Sequence, residues 1–201
     1  MPKITFHNLS EEKRRLLLDA VQKEFSRVPL FQASIANIIK TAKIPRGSFY
    51  QYFEDKEDAY FYLLNKLTLQ TNNKFLWILK KNDGNLFEAM PEFFQTMIEE
   101  DDNFNFLKNA FLNMNHKIEN SLSEMFTKEE NEDKFDVFRE QIKRSNLNVT
   151  SDEELLHLMK IISAVTFHNF IDKFSKELSN EKALNNYKIQ MSLLKNGLIR
   201  N

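Results

Sequence analysis

Glycine is nearly absent from this chain: Gly47, Gly84 and Gly197 are the three among 201 residues, and there are four prolines. Left-handed backbone, which tight hairpins require, comes cheaply only at glycine. A chain so poor in it turns seldom, which argues against a sheet-rich architecture and for helices joined by few turns. The same scarcity removes chemistry, because neither GxGxxG nor GxxxxGK[ST] can be written anywhere. Cysteine is absent, which excludes disulfides, thiol nucleophiles and cysteine-based zinc sites and suits a reducing cytosol. With 42% hydrophobic and 28% charged residues the chain can bury a core. No apolar run approaches the roughly 18 residues that span a bilayer. The opening MPKITFHNLSEEKRR lacks the apolar centre of a signal peptide, so a cytoplasmic protein without membrane contact is expected.

Periodicity predicts a helix from the N-cap Ser10 to about Arg27, with Leu16, Leu17, Ala20, Val21, Glu24, Phe25 and Val28 on one stripe. Two short pieces follow. Ser34 is expected to cap Ile35–Thr41, with Ile35, Ile38 and Ile39 inward, and Pro45 to open a piece reaching Tyr52. Helices of about seven residues do not stand alone, so residues 10–53 are expected to pack as a three-helix unit. A longer helix is predicted over 56–81, closed by the turn Asn82-Asp83-Gly84-Asn85. Further helices are expected at 86–100, 103–118, 121–144, 152–177 and 181–199, with a kink or late start at Pro91 and a solvated face or break at KEENEDK, 128–134. The fold class is therefore all-α.

Net charge is −1, but residues 1–53 hold nine basic and four acidic side chains while the rest hold 19 and 25. A basic module for a polyanion joined to an acidic body fits this asymmetry, as does chance clustering on solvated faces. Residues 34–53, SIANIIKTAKIPRGSFYQYF, decide between them. Two short helices around a turn with an apolar residue, Ile44, describe a helix-turn-helix whose second helix enters the major groove. That helix offers Arg46, Gly47, Ser48, Tyr50, Gln51 and Tyr52 around the anchor Phe49. Arg46 has the fork to read guanine and Gln51 can pair with adenine. The hydroxyls of Ser48, Tyr50 and Tyr52 suit phosphate oxygens, and Gly47 lets backbone approach backbone. Lys56, at the start of the next helix, adds charge where helix amides also attract phosphate.

Ser34 through Glu57, ending in IPRGSFYQYFEDKE, resembles the DNA-binding domain of TetR-family transcriptional regulators. The resemblance covers about a quarter of the chain and implies two parts: a DNA-binding domain, 1–53, and a helical ligand-binding and dimerisation domain, 54–201. It further implies a ligand-responsive DNA-binding repressor, not an enzyme, with no cofactor required. The implied DNA-binding set is Ser34, Lys43, Arg46, Gly47, Ser48, Tyr50, Gln51, Tyr52 and Lys56. Lys43 stands where the family commonly has glycine, Asn37 where an acid is usual, and Pro29-Leu30 replaces a glycine-containing turn. The expected partners are a near-palindromic DNA operator, a second copy of the chain and a small apolar molecule.

Nineteen phenylalanines could line a cavity or simply fill a core. Trp77, Phe94, Phe111, Met114, Phe167 and Phe170 are the candidate ligand contacts. Two wide apolar faces over 152–177 and 181–199 suit an isologous dimer, with Leu158, Ile162, Val165, Tyr187, Met191 and Leu194 at its interface. His116 and His168 leave open a haem held by one histidine from each of two helices. A helical enzyme finds no nucleophile–base spacing to support it. A ligand-free interaction module would be favoured by a body without a cavity.

Overall fold

The computed structural model describes residues 1–99, 101–123 and 132–197. Among them the regular elements are helices: α1 (Ile4–His7), α2 (Glu11–Arg27), α3 (Ile35–Ala42), α4 (Arg46–Tyr52), α5 (Lys56–Lys81), α6 (Leu86–Ile98), α7 (Phe104–Leu112), α8 (His116–Ser123), α9 (Glu132–Gln141), α10 (Asp152–Ser175) and α11 (Asn180–Asn196). They pack as two compact units, one of Met1–Thr68 with Asp101–Leu122 and the other of Leu69–Glu100 with Ser123–Asn201. The continuous helix α5 contributes residues to both. Packing thus groups more with the helix-turn-helix than residues 1–53.

In the first unit α2 starts at Ser10, whose hydroxyl accepts the Lys13 N–H, and buries Leu17, Leu18, Ala20, Val21, Glu24 and Phe25. Leu16, expected inside, is 50% exposed. The buried stripe is turned toward Leu18 because α2 packs against α3 on one side and α7 on the other. From α7, the Asn109 amide donates to the carbonyls of Phe25 and Ser26 at 2.9 and 3.0 Å, and Phe106 lies 5.2 Å from Tyr60.

Glu24 is the one charged side chain among the buried residues of this unit. Its carboxylate receives the Ser34 N–H at 2.8 Å, the Arg27 guanidinium at 2.8 and 3.1 Å, and the Asn37 amide at 3.2 and 3.3 Å. Burial alone would raise its pKa. The bonds from Arg27, Ser34 and Asn37 outweigh burial and hold it below the ordinary 4.5. Ser34 makes no side-chain cap to α3; its amide, not its hydroxyl, is what fixes this helix start. The asparagine at 37 finds its use in the same place.

Lys43 closes α3 with φ +54° and ψ +43°, and the N–H groups of Lys43 and Ile44 both turn back to the Ile39 carbonyl. A side chain in this left-handed turn costs about 1–2 kcal/mol relative to glycine. Pro45 caps α4 rather than opening it.

No element is expected before Ser10, yet α1 is helical and Phe6 is fully buried, 5.1 Å from Phe53 and 5.0 Å from Tyr62. The helix expected over 103–118 is two. The Asn113 amide donates to the Asn109 carbonyl at 2.9 Å and the Asn115 side chain accepts the Ile118 N–H at 3.0 Å, so local asparagine bonds end one helix and begin the next. Residues 124–131, which include most of the polar run KEENEDK, lie outside the described residues.

In the second unit α6 starts at the Asn85 cap, as early as expected, and continues through its internal Pro91. Phe94 stacks on Tyr187 at 4.3 Å and lies 4.9 Å from Phe170, which joins α6, α11 and α10. The Tyr187 hydroxyl shares a hydrogen bond with Thr166 at 2.7 Å, and Asn169 donates to Gln190 at 2.7 Å. Gly84, in the expected turn, has φ +74°, and its carbonyl accepts the Lys143 N–H at 2.9 Å. A Cβ there would lie 2.4 Å from the Gln141 carbonyl oxygen and 2.8 Å from the Lys143 nitrogen.

Two stability predictions come from these contacts. Gly84→Ala combines a left-handed φ with overlap onto backbone, and should cost at least about 2 kcal/mol in urea unfolding. For Glu24 the folded pKa is lowered, so its stabilisation is present above pH 4.5 and is lost as pH falls through the folded value. Glu24→Gln should therefore lose about 2 kcal/mol at pH 7. Urea midpoints should show the gap between variant and parent closing as pH is lowered toward 3.

Candidate nucleic-acid interface

A seven-residue helix is defined by what pins it. Phe49 and Phe53, four residues apart, are both fully buried, with ring centroids 5.5 Å apart. That fixes the roll of α4. Arg46, Gly47, Tyr50 and Gln51 are then exposed, while Ser48 and Tyr52 are half-buried beside them. No atom lies within 4 Å of where a Gly47 Cβ would stand, so within this chain the glycine serves no close backbone approach. Lys43 is exposed in the turn and Ser34 is half-buried at the start of α3.

Along one flank of α4 a groove of about 550 Å³ is walled by Lys13, Lys43, Ser48 and Tyr52, with Leu16, Ile44 and Pro45 as its apolar part. Lys13 belongs to the excess of basic residues over 1–53 and is exposed on α2. Its position follows from the packing of α2 on α3, which spacing along one helix cannot reveal.

Lys56 is placed differently from its expected role. Its ammonium donates to the carbonyls of Phe31 and Ala33 at 3.1 and 3.2 Å, which spends two of its three donors inside the unit. The start of α5 is also unfavourable to phosphate, because the Asp55 carboxylate accepts the Asp58 N–H at 2.7 Å and Glu57 and Asp58 put two acids in the first turn.

The candidate ligand contacts divide between the units. Phe111 is buried and Met114 half-buried in the first; Phe94 and Phe170 are buried and Phe167 half-buried in the second. Trp77 is 63% exposed, with the Lys81 ammonium 5.7 Å over its ring, and lines no interior. One cavity lined by all six is therefore not what either unit contains. His116 is exposed in the first unit, and His168 is exposed in the second with Nε2 3.8 Å from an Asp172 oxygen. Neither imidazole is set into a core as an axial haem ligand would be. Among the described residues no group of three or more His, Asp or Glu is arranged to hold a metal ion.

Of the expected interface residues, Ile162, Tyr187 and Met191 are buried within the chain's own core, while Leu158, Val165 and Leu194 are half-buried. The outward faces instead carry Ile161 on α10 and Ile189 and Leu193 on α11, each about half exposed. No helix among the described residues is long and apolar enough to cross a membrane.

Residues 85–198, more than half of the chain, match the family profile described as "Tetracyclin repressor-like, C-terminal domain". The HTH-type transcriptional regulator HbdR of Aromatoleum sp. (strain CIB) is 36% identical over 64 residues, 32% of this chain and 28% of that protein. The chain spans only about a quarter of the length of the curated relatives it matches. A TetR-family regulator from Syntrophomonas wolfei superposes with a TM-score of 0.66 at 19% identity, covering 94% of this chain and 97% of the other. The regulator FadR from Bacillus subtilis, in complex with stearoyl-CoA, gives 0.66 at 14% identity over 92% and 99%. At these identities the likeness to solved structures is one of fold. The profile match decides membership: the chain belongs to the tetracycline-repressor-like (TetR) family of transcriptional regulators, DNA-binding proteins and not enzymes.

Proposed function

We propose that this regulator is a homodimeric repressor that reads a near-palindromic operator with α4 and leaves it when a small apolar molecule binds the helical body. The observation that carries the reading is the roll of α4: Phe49 and Phe53 inward, Arg46, Gly47, Tyr50 and Gln51 outward. Arg46 and Gln51 are the base readers in this account, and Ser48, Tyr50, Tyr52 and Lys43 the phosphate contacts. Lys56 serves mainly to hold the Leu30–Gln32 turn.

Dimerisation is assigned to the outward faces of α10 and α11. Ile161 and Ala164 lie on the exposed side of α10, flanked by Leu158 and Val165, and Ile189 and Leu193 lie one turn apart on α11. Four such helices across a two-fold axis would present the two copies of α4 to successive major grooves about 34–36 Å apart. The aromatic cluster of Phe94, Phe170 and Tyr187 supports an apolar ligand, and FadR, which shares the fold, is seen with stearoyl-CoA. Because α5 belongs to both units, it offers a continuous path between body and reader. A ligand acts through it by no more than its differential affinity for the two states.

The reading is tested on a duplex selected from a random pool by the parent protein. Arg46→Ala or Gln51→Ala should each cost about 1–3 kcal/mol per half-site and relax preference at one position in each. Gly47→Ala should leave folding unharmed or improve it by up to about 1 kcal/mol, yet weaken binding where DNA approaches that backbone. Unchanged affinity would place α4 away from the groove. Ile161→Asp with Leu193→Asp should give a monomer by sedimentation and abolish binding to the two-half-site duplex while a folded helical spectrum persists.

A further inference from the structure

The last carbonyls of α4 can be accounted for one by one. A helix end leaves its final four C=O groups without helical partners. Here the Phe49 carbonyl accepts the Phe53 N–H at 2.9 Å. The other three belong to Tyr50, Gln51 and Tyr52, and all are closed from a part of the chain nearly fifty residues away. The Lys3 ammonium donates to the Tyr50 carbonyl at 2.8 Å, the Thr5 hydroxyl donates to the Gln51 carbonyl, and the Lys3 backbone N–H donates to the Tyr52 carbonyl at 2.9 Å. Phe6, between Phe53 and Tyr62, anchors the segment that makes these bonds.

We propose that Lys3 and Thr5 are positioning residues for DNA recognition, which complete the end of α4 so that Tyr50, Gln51 and Tyr52 are held ready to meet DNA. The proposal rests on the reading of α4 as the helix that meets DNA. A helix of seven residues has little stability of its own, and its last turn is where fraying would release three of the candidate contacts. The segment supplies three hydrogen bonds there, one of them from a positive charge at the negative end of the helix dipole. In this arrangement Lys3 is committed to a carbonyl of its own chain. It therefore differs from a basic arm that reaches into a groove, where each lysine on a phosphate would add to the salt dependence of binding.

The test is the double variant Lys3→Met with Thr5→Val in the full chain, measured on the selected duplex beside Arg46→Ala. The expected result is about tenfold weaker specific binding, through a smaller population of the competent helix. The slope of log affinity against log salt should stay as in the parent. Amide hydrogen exchange of residues 49–53 should be faster in the free protein, and Lys3→Arg with Thr5→Ser should restore both affinity and protection. A slope lowered by about 0.9 per protomer would identify Lys3 as a phosphate contact and overturn the proposal. So would parent-like affinity, or parent-like exchange at residues 49–53. The exchange measurement needs no DNA and decides the question even if the double variant is less stable overall. If Arg46→Ala leaves the selected duplex bound as before, the reading of α4 itself fails. If Arg46→Ala weakens binding and the double variant does not, only the positioning role fails.

Discussion

A helix seven residues long, as α4 is, cannot hold its own shape, and the first unit is organised around that constraint. Phe49 and Phe53 set the roll of α4 by burial. The left-handed turn at Lys43 sets the angle at which it leaves α3. Upstream, α3 is itself held at its first residue by the Glu24 carboxylate, which takes the Ser34 N–H and the Asn37 amide at once. The chain of dependence therefore runs from one buried carboxylate on α2, through the start of α3, to the exposed face of α4. Each link is a short-range contact that holds α3 or α4, helices too short to persist without it.

Some of the positive charge is engaged by the chain's own backbone. The N-terminal residues carry an excess of basic groups, yet two lysines near α4 donate to backbone carbonyls of their own chain: Lys56 to those of Phe31 and Ala33, Lys3 to that of Tyr50. Exposed beside the outward face of α4 are Arg46, Lys43 and Lys13, the last two walling one groove. The N-terminus of α5 is closed by Asp55 and followed by two further acids, so it repels phosphate rather than collecting it.

Much of this was legible in the sequence. The 3.6-residue period marked α2, α10 and α11 to within a few residues, and Asn-Asp-Gly-Asn marked the turn that Gly84 makes obligatory. The segment 34–53 announced its helix-turn-helix through residue types at fixed spacing. What could not be read there has a common cause, contact between distant parts of the chain. A four-residue helix such as α1 has no period, and only Phe53 and Tyr62 explain why Phe6 is buried. The breaks around Asn113 and Asn115 depend on where side-chain amides find backbone partners. On α10, apolar residues occur on all sides, so periodicity could not tell Ile162, which is fully buried, from Ile161, which is half exposed. The inward stripe even includes Ser163, Thr166 and Asn169, because Ser163 donates to the Met159 carbonyl while Tyr187 and Gln190 pair with Thr166 and Asn169. Trp77, chosen for its size and apolarity, stands outside with a lysine over its ring.

The central claim is that the face of α4 bearing Arg46, Tyr50 and Gln51 lies in the major groove. The absence of cysteine makes that claim directly measurable, since a single Gln51→Cys carries a DNA-cleaving iron chelate at one defined place. On the selected duplex the account predicts two clusters of strand cleavage, one in each half-site, about one helical turn apart and with the stagger that marks the major groove. Cleavage absent from this position, but strong from a chelate placed instead at Lys23 on α2, would put the wrong helix on DNA and contradict the account.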